Sequence, residues 1–203
     1  GTGSLTKNGS GTCVVATADN FYIGATYVNN GTLQVAMLAN GGVQSGIGAS
    51  AASEANLVFN GGTLGYTGFS ASSDRGFTVN AGGGTIAVSN APTVLTFSGY
   101  VTGAGRLVKE GNGWLYLNNH NTFAGLTVNS GTFYTTVGNW YENPAHGNGT
   151  LIVNSNGTAI FTAAHGFGAS FDGRAMEING GLYRQDAENY VSGITMTGGW
   201  LTG

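Results

Sequence analysis

The sequence predicts an all-β chain wound as a parallel β-helix (β-solenoid), and three observations carry that prediction. A short phrase returns three times between residues 126 and 184, as LTVNSGTFYT, LIVNSNGTAIFT and MEINGGLYR. Its anchors Asn129, Asn154 and Asn179 follow one another at 25 residues, and Val128, Val153 and Ile178 keep the same step; a fixed step of this size marks a stacked-repeat architecture. The runs around each anchor alternate Val, Ile, Tyr, Phe and Thr with small polar residues at period two, the pattern of pleated strands. With 38 glycines spread through the chain, no helix of ordinary length survives.

The phrase also occurs upstream, at YVNNGTLQV (Asn29), LVFNGGTLGY (Asn60) and FTVNAGGGTIAV (Asn80). Asn-Gly between strands is a strong hairpin signal, so the alternative is an antiparallel β-sandwich. A corner that returns at steps of 20 and 25 residues favours stacked coils, in which asparagines would lie one above another as a ladder of side-chain amides. At ~20–25 residues per coil the chain makes about eight to nine coils, rising ~4.8 Å each. Residues 48–57, GASAASEANL, have the alanine content for a turn or two of helix.

A larger unit sits above the small step. Gly1, Gly3, Leu5, Lys7, Gly9 and Gly11 fall on Gly103, Gly105, Leu107, Lys109, Gly111 and Gly113, a shift of 102 residues, and the match extends over 1–35 and 103–135. Cys13 falls on Leu115 and is expected to be a small buried apolar residue; Lys7 and Lys109, equivalent to each other, are expected to keep a strand face soluble. The run G-x-G-x-L-x-K-x-G-x-G, then N-x-Y/F-x-G, then V-N-x-G-T-L resembles the autotransporter-associated β-strand repeat of bacterial passenger domains. Departures are Cys13 where the family favours Leu, Trp114 where it favours Thr, and the shortened AGLTV at 124–128. The resemblance implies a right-handed parallel β-helix on, or shed from, a bacterial surface, and no catalytic residues, since the repeat is a scaffold without a single activity.

Composition narrows the function classes. Hydrophobic residues make up 41%, enough for a packed core rather than disorder. Only 7% are charged, against about a quarter in an ordinary globule, so polar positions fall to Asn, Ser and Thr. The six Lys and Arg are scattered singly in a chain of net charge −3, which gives no basic stripe for nucleic acid. No apolar run approaches the ~18 residues of a membrane-spanning segment. Cys13 is the single cysteine, so an intrachain disulfide is impossible. No His, Cys and Asp set has metal-ligand spacing, and no cofactor is expected. The chain starts GTGSLTK and stops in mid-phrase at WLTG; residues 1–203 are expected to be a single β-helix segment of a longer repeat protein. Its open ends would stack on further coils of the same parent chain or on end-to-end copies as a fibre.

Function in a solenoid is expected on excursions from the coil, here 39–54, 66–76, 136–149 and 163–175. Asp74 and Arg75 in the second are expected to form a local ion pair. The last two carry Trp140, Tyr141, Glu142 and His146, and Phe167, Phe171, Asp172 and Arg174, a candidate ligand-binding platform for a glycan or a neighbouring cell surface. The simpler reading, which the sequence favours, has these aromatics folded back as a lid over the coil. A glycosidase needs two carboxylates roughly 5–9 Å apart; Glu177, Asp186 and Glu188, with Arg184 among them, are the nearest grouping and read as a solvated edge with a salt bridge. The expectation is a non-catalytic extracellular structural or adhesive module (stalk, adhesin or fibre-forming repeat), with a polysaccharide-binding or polysaccharide-degrading β-helix as the alternative.

Overall fold

The computed structural model describes residues 1–137, 147–164, 175–187, 191 and 193–203. The chain winds as a β-solenoid of about seven turns, close to the eight or nine coils expected, with partial coils that make its longest face nine strands deep. Every strand pair among the described residues is parallel, with one isolated antiparallel bridge between Asn154 and Gly180. The sandwich alternative is thereby excluded: the Asn-Gly turns are corners between faces, not hairpins.

Three faces surround the core. The first stacks Leu5–Lys7, Thr26–Val28, Leu57–Phe59, Phe77–Val79 and Val101–Thr102. The second runs from Thr12–Val15 through Thr32–Val35, Thr63–Tyr66, Gly84–Val88 and Leu107–Glu110, then the opening halves of the long strands Leu126–Thr135 and Leu151–Phe161, to Ala175–Asn179 and Gly193–Met196. The third stacks Ala71–Ser73, Val94–Phe97, Trp114–Leu117, the closing halves of the two long strands, Leu182–Gln185 and Trp200–Thr202. The two long strands turn the corner without leaving the ladder, and the register slips between Val128 and Ser130 to let them do so. Where helix was expected, residues 48–57 supply one short 3-10 turn, Glu54–Asn56, capped by Ser53.

In-register parallel pairing puts each inward side chain over its counterpart. Leu33, Leu64 and Ile86 form one buried column on the second face; Lys109 holds the next position, and Val128, Val153 and Ile178 continue it below. Aromatic rings fill the wider part of the interior: Phe59, Phe77 and Phe97 meet edge to face at 5.5 and 5.2 Å, and Phe133, Phe161 and Tyr183 follow at 5.7 and 5.5 Å. Offset and edge-to-face contacts of this kind add to the burial of large apolar area. Burial raises the pKa of the Tyr183 phenol, and its hydroxyl donates to Gln185 Oε1 at 3.1 Å.

The two long repeat copies do not lie over one another. Leu5–Lys7 sits on the first face, whereas Leu107–Glu110, its sequence equivalent, sits on the second. One cause is uneven coil length. Thr26 stacks on Leu57, 31 residues on, while Leu107 stacks on Leu126 after 19. Residues 39–54 lengthen the former coil and fold inward, burying Ile47 and Ser50.

Val153→Asp should therefore remove on the order of 4 kcal/mol or more of stability, since it buries an unpartnered carboxylate. Thr85→Lys, facing out from the second face, should stay within about 0.5 kcal/mol. Equilibrium denaturation of the two variants checks the contrast.

Candidate functional site

The basic residues are placed against expectation. Lys7 and Lys109 do not keep a strand face soluble. Both point into the solenoid, Lys7 8% and Lys109 0% exposed. Lys109 Nζ donates to the carbonyls of Glu110, Gly111 and Ser130 at 2.7, 2.7 and 3.0 Å. Lys7 Nζ makes the same set to Asn8, Gly9 and Asn30 at 2.9, 2.6 and 3.0 Å. A tight corner turns several carbonyls inward with no ladder partner, and an ammonium has the three donors to satisfy them. Burial lowers the Lys109 pKa to about 8, against the pull of the Glu110 carboxylate, which leaves it protonated at neutral pH.

Two arginines work in the same way. Arg75, 2% exposed, donates to the carbonyls of Ala39, Asn40, Val43 and Gly48 and to Ser50 Oγ, at 2.8–3.3 Å. The expected Asp74–Arg75 ion pair is not formed; Asp74 Oδ1 accepts from the Gly41 amide at 2.6 Å. The physical reason is that residues 39–54 present more unpaired carbonyls than one carboxylate can match. Arg106 donates to the Leu126 and Thr150 carbonyls at 3.1 and 2.9 Å. Burial lowers the pKa of both guanidinium groups.

Outside the same corners run amide columns. Asn154 Nδ2 donates to Asn129 Oδ1 at 2.6 Å and Asn179 Nδ2 to Asn154 Oδ1 at 3.2 Å. Glu110 Oε1 ends the column above by accepting from Asn129, and Thr197 ends it below by donating to Asn179. Asn29, Asn60 and Asn80 belong to a different edge, between the first and second faces, where Asn29 Nδ2 donates to Asn8 Oδ1 at 3.0 Å.

Cys13 is exposed, not buried. It occupies an inward column above Leu33, but Thr12–Val15 is the outermost described strand of its face and no strand among the described residues pairs beyond it. The expected platform residues Trp140, Tyr141, Glu142, His146, Phe167, Phe171, Asp172 and Arg174 all lie outside the described residues, as does Glu188. Arg184 and Asp186 form an exposed bidentate pair, Nε–Oδ1 2.8 Å and Nη2–Oδ2 2.6 Å. Glu177 is on the second face, while Asp186 follows the third-face strand Leu182–Gln185, so the carboxylates do not converge.

The third face carries a further aromatic surface. On the outside of the third face, Trp114 and Tyr134 approach at 6.1 Å and Tyr116 and Tyr134 at 4.9 Å, all half-buried. The Tyr116 hydroxyl bonds Thr136 Oγ1. Ile160 and Arg184 continue the Tyr116–Tyr134 column below, and Leu182 and Trp200 the Trp114 column. The signal was present: in WLYL, Trp114 and Tyr116 alternate with Leu115 and Leu117, so either both aromatics or both leucines must face out. The equivalence of Leu115 with Cys13, an expected inward position, already turns the leucines in and the aromatics out.

Lys109→Met should cost about 2 kcal/mol, because it leaves three inward carbonyls without a donor; Asn154→Ala should cost about 1–2 kcal/mol through two lost amide bonds. Denaturant midpoints at unchanged slope check both.

Comparison with known proteins agrees with the geometry. The family model of the passenger-associated transport repeat matches residues 5–35 and 107–133, the two segments that open on a stapling lysine, Lys7 and Lys109. A curated relative, described as adhesin BmaC autotransporter of Brucella suis biovar 1 (strain 1330), is 38% identical over 122 residues, covering 60% of this chain. The chain spans only 4% of that relative's length. No solved structure matches. With two matches to the repeat and parallel coils throughout, the chain carries passenger-associated transport repeats and is similar to an autotransporter passenger β-repeat protein.

Proposed function

We propose that the chain acts as a non-catalytic spacer and contact module: a rigid column that holds binding surfaces away from its anchor and presents the third-face aromatic row to a neighbouring surface. The passenger repeat and the adhesin relative support a location at the cell surface or outside the cell and a structural or adhesive role. The observation that carries the finer reading is that inward positions are committed to columns and carbonyl staples while Trp114, Tyr116 and Tyr134 remain accessible on one flat face. Aromatic rings on a rigid sheet are effective contact groups because they bring large area at little entropic cost. The apolar residues Met196, Trp200 and Leu201, exposed at the lower edge, are where further coils, of a parent chain or of another copy, would stack.

Beads coated with the chain should adhere to a panel of cultured cells and immobilised glycans. The W114A/Y116A/Y134A variant, with its fold checked by circular dichroism, should lose most of that adhesion. Unchanged adhesion by a folded triple variant would remove the third face from the proposal. Loss of adhesion only with W140A/Y141A would move the contact to the excursion at 136–149.

A further inference from the structure

We propose that the Asn30–Gly31 corner is a self-modification site, where the Gly31 amide nitrogen cyclises onto the Asn30 carboxamide. The corner already holds the reacting groups together. The Gly31 N–H donates to Asn30 Oδ1 at 2.7 Å, which sets the nitrogen beside the carbon it would attack, and such prearrangement lowers a barrier by removing the search for geometry. The Lys7 ammonium donates to the main-chain carbonyl of Asn30 at 3.0 Å. That carbonyl and the Gly31 N–H belong to one peptide unit, so positive charge on its oxygen stabilises the deprotonated amide and activates the nucleophile. Asn30 is exposed, so water reaches the product.

The fold itself fixes the reactive dipeptide. Gly31 has φ 63° and packs so tightly that an added Cβ would stand 2.4 Å from the Gly11 carbonyl oxygen, so no bulkier residue shields the step. In the reaction the N–Cγ bond forms as Cγ–Nδ2 breaks, and the side-chain nitrogen leaves as ammonia with the proton lost from Gly31. Water then opens the imide at either carbonyl and leaves an aspartyl or isoaspartyl residue at position 30. No oxidant or cofactor is needed. The product sets a carboxyl beside Lys7, and the iso form lengthens the main chain where Gly31 leaves no space.

At three of the other Asn-Gly steps the carboxamide oxygen is engaged elsewhere. Asn8 Oδ1 accepts from Asn29, Asn40 Oδ1 from the Asp74 amide and Asn60 Oδ1 from the Gly82 amide. The second repeat is a built-in reference: Lys109 donates to the equivalent carbonyl, but residue 130 is serine and has no carboxamide.

The test follows conversion of amide to acid at each Asn-Gly step by peptide mass spectrometry, in the native protein and in guanidinium, at mildly alkaline pH. The native-to-denatured rate ratio at Asn30 should exceed those at Asn60 and Asn156 several-fold. N30S should abolish conversion at that position alone, and K7M should bring the Asn30 ratio down toward the others. A wild-type ratio at Asn30 equal to or below those of Asn60 and Asn156 overturns the proposal. So does an Asn30 ratio that K7M leaves unchanged. Should K7M fray the first coil, the wild-type ranking decides alone.

Discussion

Parallel pairing in register is the constraint on which everything else rests. Once each coil hydrogen-bonds to the next along whole strands, a side chain has no freedom to choose its neighbours: it lies ~4.8 Å above the residue that shares its register. A column is then a single packing unit, and a residue is tolerated inside it only if it can replace what the residues above and below supply. This is why the interior reads as runs of Val, Leu, Ile and Phe down the stack, and why Leu33, Leu64 and Ile86 are fully buried in strands only four or five residues long.

The same constraint explains the use of charge. Corners must turn sharply between faces, and turning leaves carbonyls directed inward without partners. The chain has six Lys and Arg, and four of them (Lys7, Arg75, Arg106 and Lys109) direct their donors at main-chain carbonyls. An unpaired buried cation is costly, but one ringed by three or more carbonyl dipoles is solvated by the protein itself. Few charges remain for the surface, where Asn and Thr take over, and stacked amides then add a second set of bonds along the corner, from Glu110 to Thr197.

The one-face offset between the two repeat copies shows how interchangeable the faces are. A strand, a glycine corner and a second strand make the same unit wherever they fall on the triangle. The lysine cage of Leu5–Lys7 on the first face therefore reappears intact for Leu107–Glu110 on the second. Insertions such as 39–54 advance the phase without disturbing the ladder, provided a staple such as Arg75 satisfies what they bring in.

Strand content, parallel stacking, the step of the corners and the equivalence of Lys7 with Lys109 were all legible in the sequence, because period-two patterning and repetition are local and survive without coordinates. The inward direction of those lysines was not. Alternation says that Lys109 shares a face with Leu107, but a lysine in such a place reads as a surface residue until the carbonyls of Gly111 and Ser130 are seen around it. The exposure of Cys13 and the separation of the asparagines onto two edges likewise depended on which coil lies above which. Coil length varies with each insertion, so vertical neighbours are set by the summed path of the chain and not by any one segment of it.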